Sequence, residues 1–289
     1  MNTDKLKIYR EPRFTNPRLV LGFTGWMDGG DVSTGTIKHL RDKFKAEAFA
    51  HIEPEGFYIY NFPGSMEISA LFRPHTEIND GLILSYTPPT STFYCAPNNN
   101  LILFTGKEPN LAWEQFGDCI FGLCDKFNVR EIYSVGSVAG LTPHTREGRI
   151  TCSVSDEKLK VNLKHPGMRF SRYAGPAGII TYLTYRASKQ ALSMVNLVAE
   201  IPAYVQGYNP KCIETVIRTL ARLLDVQINL DDLREMGDEF EKKLSEIVEG
   251  QPELAKKVSE LEEDYDNQVF DTEMGDLKDW LQQKGIRLD

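Results

Sequence analysis

The sequence predicts an α/β protein with helices covering both faces of a sheet, followed by a helical extension at its C-terminal end. Three observations carry that expectation. Short apolar runs suited to buried strands alternate with stretches of helical periodicity through the first three quarters of the chain. Beyond Asp225 strand signals stop, glycines become scarce and amphipathic helical patterns with charged outer faces take over. A hydrophobic content of 41% over 289 residues supplies enough apolar side chain for a sizeable core.

Residues 18–23 (Arg-Leu-Val-Leu-Gly-Phe) form the first expected buried strand. The loop Thr24-Gly25-Trp26-Met27-Asp28-Gly29-Gly30 leads into a helix over 31–44, where Ile37, Leu40 and Phe44 build one apolar face and Asp31 or Ser33 is placed to cap the start. Residues 56–60, 82–86 and 101–104 read as further buried strands. Helical spacing over 111–127 is followed by a strand at 130–136 and a half-exposed, alternating strand at 149–154. Gly175-Pro176-Ala177-Gly178 opens a helix to about Lys189, with Pro176 suited to its first turn. A strand at 192–198 precedes a helix at 210–224 that turns Ile213, Val216, Ile217, Leu220 and Leu223 inward. Three amphipathic helices are expected at 231–248, 252–265 and 272–284. Their apolar stripes are narrow, so the chain divides into a body (1–228) and an acidic appendage (229–289) that packs on it.

Charge follows the same division. Residues 231–289 hold 19 acidic and 8 basic side chains, whereas the preceding 230 hold 22 and 25. An anionic segment repels phosphate backbones, which argues against nucleic acid as a partner. No apolar stretch approaches the roughly 20 residues of a membrane span, and charges occupy the N-terminal positions where a secretory signal would be apolar. A cytoplasmic location is expected. The five cysteines include no Cys-x-x-Cys pair and the five histidines no His-x-His or His-x-x-x-His, so neither a disulfide framework nor a metal site is expected.

Motifs for catalysis are equally thin. The loop after the first strand ends Gly29-Gly30-Asp31 where a phosphate-binding loop needs Gly-Lys-Ser/Thr, and Gly22 and Gly25 stand three apart instead of the two of a dinucleotide fingerprint. Asp28 and Asp31 place negative charge where an anion would sit, so no cofactor is expected. Ser137 lacks the glycine spacing of a nucleophile elbow. Cys95 or Cys152 paired with His144 is the remaining nucleophile–base combination, and nothing local marks either thiol as activated. Pro143-His144-Thr145-Arg146 lies on a loop at the C-terminal end of a strand, the edge where α/β sheets bind ligands. There His144 is a candidate base, and Arg146 with Arg149 a candidate grip for an anion. Arg169 to Gly178 brings Tyr173 and Gly175 to a helix start whose amides either receive an anion or are capped internally.

Six segments in order resemble the proteasome assembly chaperone 2 family. They are Leu19-Val-Leu-Gly-Phe-Thr-Gly-Trp-Met-Asp-Gly-Gly30, Phe72-Arg73-Pro74, Glu108-Pro109 with Trp113, Pro143-His-Thr-Arg146, Tyr173-Ala-Gly-Pro-Ala-Gly178, and Ile201-Pro-Ala-Tyr204 with Asn209-Pro210. They span about residues 10–225, and the acidic helical end is similar to the extensions of bacterial and archaeal members. The resemblance implies a three-layer αβα domain with a mixed central sheet, similar to the nucleoside phosphorylase fold and often assembled as a homotrimer, with no agreed catalytic residues. It also implies protein partners: eukaryotic members hold proteasome α subunits during ring assembly, and archaeal relatives dock through a terminal hydrophobic-tyrosine-any residue tail. This chain departs from that tail, ending Ile286-Arg287-Leu288-Asp289 with leucine at the tyrosine position.

The sequence thus favours a non-catalytic assembly or interaction protein that binds itself and proteasome-related or other protein subunits. Gly25, Trp26, Asp28, Arg73, His144, Thr145, Arg146, Tyr173 and Gly175 are the candidate ligand- or partner-binding residues, with Trp26, Phe62, Phe72 and Tyr94 as aromatic contact candidates on loops. The alternative is a hydrolase or phosphorylase acting on an anionic substrate, which requires Asp28, Arg73, His144, Arg146 and Tyr173 to converge in one cleft. In a third reading His144 and Arg146 stabilise a subunit interface.

Overall fold

A computed structural model describes residues 1–163 and 168–283, the side chains of 162 and 271–283 excepted. Nine strands among these residues form one mixed sheet, in the spatial order β1 (Leu6–Ile8), β3 (Glu47–Ile52), β6 (Ser91–Ala96), β7 (Leu101–Lys107), β2 (Arg18–Thr24), β8 (Glu131–Gly140), β11 (Ser193–Pro202), β9 (Ile150–Val154), β10 (Met168–Phe170). The central four, β7-β2-β8-β11, run parallel, and antiparallel pairings of β6 with β7 and of β9 with β11 flank them. The expected αβα layering with a mixed sheet is the observed architecture.

Each face of the sheet has its own core. On one, Leu19, Leu21, Phe93 and Phe104 meet helices α3 (Trp113–Phe127) and α4 (Ile179–Lys189) through Phe116, Ile120, Leu123 and Leu183. On the other, Val20, Leu103, Val135 and Leu197 meet α1 (Val32–Lys43) and α5 (Pro210–Leu223) through Ile37, Leu40, Ile213 and Ile217. Period-two alternation along β2 thus serves both cores, as a strand buried on two faces requires. Gly22 is the exception that lets α1 approach. A Cβ there would stand 2.5 Å from Ile37 Cγ1 and 2.8 Å from the Ser33 carbonyl oxygen. Gly22→Ala is expected to cost about 1–3 kcal/mol through displacement of α1, read as a lower urea midpoint at unchanged m-value.

Several expectations are corrected. Residues 56–60 form turns and coil instead of a strand. β3, unforeseen, already pairs with β1 and β6 on its two sides, and the Phe57 carbonyl accepts the amides of Asn110 and Leu111 at 2.9 and 3.0 Å. Phe57 is still buried, edge-on to Phe116. The run at 82–86 is strand β5 (Leu82–Thr87), but it pairs only with β4 (His75–Asn79) in a separate two-stranded hairpin and is exposed. Asp80 and Gly81 in left-handed conformation make its two-residue turn. Tyr94 lies on β6, with Arg41 over its ring, and is no loop residue. Pro176 precedes α4, which begins at Ile179. Neither Asp31 nor Ser33 caps α1: Asp31 makes no side-chain cap bond, and Ser33 lies inside the helix, donating to the Val135 carbonyl at 2.6 Å.

Among the described residues the C-terminal segment contains two helices instead of three, α6 (Asp231–Glu249) and the continuous α7 (Pro252–Gln283). No proline and no second break signal separates 265 from 272, so the helix runs through. α6 packs against α5, with Leu233 entering the core beneath it. Lys284 and the tail Ile286–Asp289 lie outside the described residues. Among those described, no helix is long and apolar enough to cross a membrane.

Candidate functional site

The structure distributes the nine candidate residues over four places. His144, Thr145 and Arg146 follow β8, as expected, but their side chains face the chain's own C-terminal helices. His144 is buried; its Nδ1 and backbone N–H both meet the Tyr204 hydroxyl, at 2.7 and 2.9 Å, and its Nε2 lies 3.2 Å from Ser245 Oγ on α6. Lys211 Nζ donates to the His144 carbonyl at 2.8 Å and pairs with Glu241 of α6. Thr145 donates to Glu262 of α7, and Arg146 makes a two-pronged contact with Asp266, both bonds 2.8 Å. Arg149 lies 4.1 Å over the Tyr265 ring, whose hydroxyl donates to the Glu147 carbonyl. Burial pushes the His144 imidazole below its ordinary range, and the Asp266 hydrogen bond pushes the Arg146 guanidinium up. The loop is a clasp for α6 and α7, and the space beside it, bounded by Pro143, Glu200, Asn209 and Phe240, holds only about 10 Å³.

Asp28 is a structural cap. Its two carboxylate oxygens accept the Thr34 amide and hydroxyl at 3.0 and 2.8 Å, one turn into α1. Burial raises its pKa, against the lowering effect of those hydrogen bonds. Ser137 holds the same turn by donating to the Gly29 carbonyl at 2.6 Å. Arg73 is exposed between α2 (Met66–Ala70) and β4, remote in the fold from the clasp. Of the five groups of the enzyme alternative, His144 and Arg146 border the small space at the clasp, Tyr173 borders a different cleft, and Asp28 and Arg73 line neither.

Gly25, Trp26 and Tyr173 do come together, in a cleft of about 580 Å³ between the end of β2, the strands β8, β9 and β11, and the start of α4. Gly175 lies in the adjoining loop, where a Cβ would meet the Tyr173 hydroxyl at 2.5 Å; that hydroxyl donates to the Pro176 carbonyl. Trp26 and Tyr173 are 60% and 68% exposed, large aromatic surfaces at the opening. Apolar groups (Phe23, Val135, Val138, Ile179, Val198) dominate the wall, with Asn196, Ser153 and Ser171 as polar members. Sequence reasoning assigned no role to Glu108. Its Oε1 accepts the Ile179 amide at 2.8 Å, so the first turn of α4 is capped by a carboxylate from the β7–α3 loop. Cys152 lines this cleft too, but burial pushes its thiol up to about 11, and burial also raises Cys95 on β6; neither is an activated nucleophile. Among the described residues no group of three or more His, Cys, Asp or Glu side chains is placed to hold a metal ion.

The fourth place, which carries Arg73, is a flap formed by α2, β4 and β5. Met66, Leu71, Ile78, Leu82, Ile83 and Tyr86 are all exposed, Leu82 and Ile83 by about 70%. Phe62 and Phe72 stack at its base, ring centroids 4.9 Å apart, and Lys107 Nζ donates to the Leu71 carbonyl at 3.3 Å. The sequence marked the aromatic pair but read 82–86 as core.

These elements define a three-layer αβα protein with a clasped C-terminal helical part. The chain belongs to the PAC2 family, whose model matches residues 22–248. Among solved structures it is similar to a Mycobacterium tuberculosis proteasome-assembly chaperone homologue, with 27% identity and a TM-score of 0.73 over 83% of this chain and 99% of that one. A PAC2 family protein from Streptomyces avermitilis shares 25% identity and a TM-score of 0.71 over 85% and 99%. A Pyrococcus furiosus archaeal proteasome activator, 19% identical, shares the fold with a TM-score of 0.61 over 86% and 99%. No curated protein matches the sequence.

Proposed function

We propose that this protein is a non-catalytic, assembly-chaperone-like interaction protein of the cytoplasm, which binds copies of itself (as a homotrimer or another homo-oligomer) and proteasome-related or other protein subunits. One observation carries the reading: the flap at 66–87 presents eight large apolar side chains to solvent, from α2 and the β4–β5 hairpin, and none of them belongs to either core. Contiguous exposed apolar surface of that kind is costly unless a partner covers it. Family membership and the likeness to a proteasome-assembly chaperone homologue support a protein partner. The engagement of His144 and Arg146 within the chain counts against the enzyme alternative, and equally against either residue as a direct partner contact. In this reading residues 229–289 are an appendage that fixes the 143–149 loop.

The test is Ile83→Glu, a change at an exposed site that leaves both cores intact. Light scattering after size exclusion is expected to show a multimer for the native chain and a smaller mass for the variant, at equal thermal midpoint. Tagged native protein is expected to retain subunits from its own cells that the variant loses. A native chain that runs as a monomer and recovers only itself overturns the reading.

A further inference from the structure

The cleft beside Trp26 combines an apolar wall with a single carboxylate among its described lining residues. Its volume, about 580 Å³, is in the range of small-molecule sites, and its wall is mostly apolar. Among the described residues lining the cleft, Glu108 brings the one formal charge and none is basic. The carboxylate is fixed in place. Oε1 is held by the Ile179 amide, and no described residue donates to Oε2. Glycines stand on both sides of it: a Cβ at Gly25 would come within 3.3 Å of Oε2, and one at Gly178 within 3.2 Å of Oε1. Gly25 also adopts φ +140°, a conformation that favours glycine. The wall is thus smallest around its only charge, and that leaves the carboxylate open to whatever enters. Trp26 and Tyr173, both largely exposed, supply aromatic faces along the same wall.

We propose that this cleft binds a small amphipathic amine, its apolar body against Phe23, Val138 and Val198 and its protonated nitrogen between the Glu108 carboxylate and the aromatic rings of Trp26 and Tyr173. Carboxylate and aromatic face attract the same kind of ligand, a desolvated cation on an apolar frame. The hydroxyls of Ser153, Ser171 and Thr181 offer acceptors for its remaining N–H groups. Phosphorylated and carboxylate ligands are disfavoured, because they would meet Glu108 with no counter-charge on the wall. The assignment is independent of what covers the flap, which lies on other elements of the fold.

Isothermal titration of the full chain with three probes of one shape tests it: tryptamine, the neutral tryptophol and the anionic indole-3-propionate. Tryptamine is expected to bind, tryptophol more weakly, and indole-3-propionate not measurably. Glu108→Gln keeps an acceptor for the Ile179 amide and should weaken tryptamine by roughly tenfold while leaving tryptophol unchanged. Trp26→Ala, at an exposed position, should weaken both. Absence of heat from all three probes at millimolar concentration overturns the proposal. So does equal binding of amine and acid, or an unchanged tryptamine affinity in Glu108→Gln.

Discussion

Phe104→Ala is expected to destabilise the protein by about 3–5 kcal/mol, the range for removing a fully buried aromatic ring. Phe104 lies on β7 with no solvent exposure, and its ring stands 4.7 Å from Phe93, 5.1 Å from Phe23 and 6.4 Å from Phe116. It links β6, β2 and α3, so truncation leaves a cavity that no single neighbour can fill without giving up another ring contact. Chemical denaturation should show the midpoint falling by that equivalent. Phe104→Leu, which refills much of the volume, should recover most of the loss. A loss below about 1 kcal/mol for the alanine variant would mean that this face of the sheet is far looser than its packing indicates.

The second large effect is expected at the clasp. His144→Ala removes a buried side chain that bridges Tyr204 and Ser245, leaving the Tyr204 hydroxyl with only the residue-144 amide. The cost is about 2–4 kcal/mol, from an unsatisfied buried group plus a cavity. It should appear as early protease cleavage in α6 and α7 ahead of global unfolding. The same residue gives a pH dependence. Burial holds the folded-state pKa of His144 below its unfolded value of about 6.5, with Glu241 and Glu262 opposing that shift and Lys211 reinforcing it. The unfolded chain therefore binds the proton more readily. The stabilisation is fully present above pH ~6.5 and is lost as pH falls below that value toward the depressed folded pKa. His39, also lowered by burial, acts in the same direction. The thermal midpoint of the native chain should drop on acidification from pH 7 to 5.5, and that of His144→Ala should drop less.

What the sequence disclosed depended on how local the signal was. β2, its glycine loop and α1 were readable because the apolar run, the turn and the 3.6-residue spacing are consecutive. α5 was readable for the same reason, with Pro210 in its first turn and Asn209 capping the Cys212 amide. β3 was missed because Glu47-Ala-Phe-Ala-His-Ile mixes small and polar residues, and its burial comes from its two partner strands. The flap was misread because 82–86 is as apolar as a core strand; only the absence of a third layer over it shows that it faces solvent. For the clasp, Thr145 and Arg146 were identified, but Glu262 and Asp266 were hidden among many acidic residues of a helix that looked solvated. Pairing across 117 and 120 residues leaves no local trace. Gly25, Trp26 and Tyr173 were legible as one site only in part: Glu108 was marked as part of the family resemblance, but its contact with the Ile179 amide spans 71 residues and leaves no local trace.

The grip of α6 and α7 on the 143–149 loop has a bearing on how the chain acquires its structure. A ribosome releases the body first, and at that point the loop after β8 exposes Thr145, Arg146 and Arg149 with their partners still unmade. The partners arrive only when residues 241–266 emerge. A chain that stops short of residue 241 would therefore hold every strand of the sheet while lacking all of these contacts, so the order of synthesis places the fixing of this loop after the residues of the sheet.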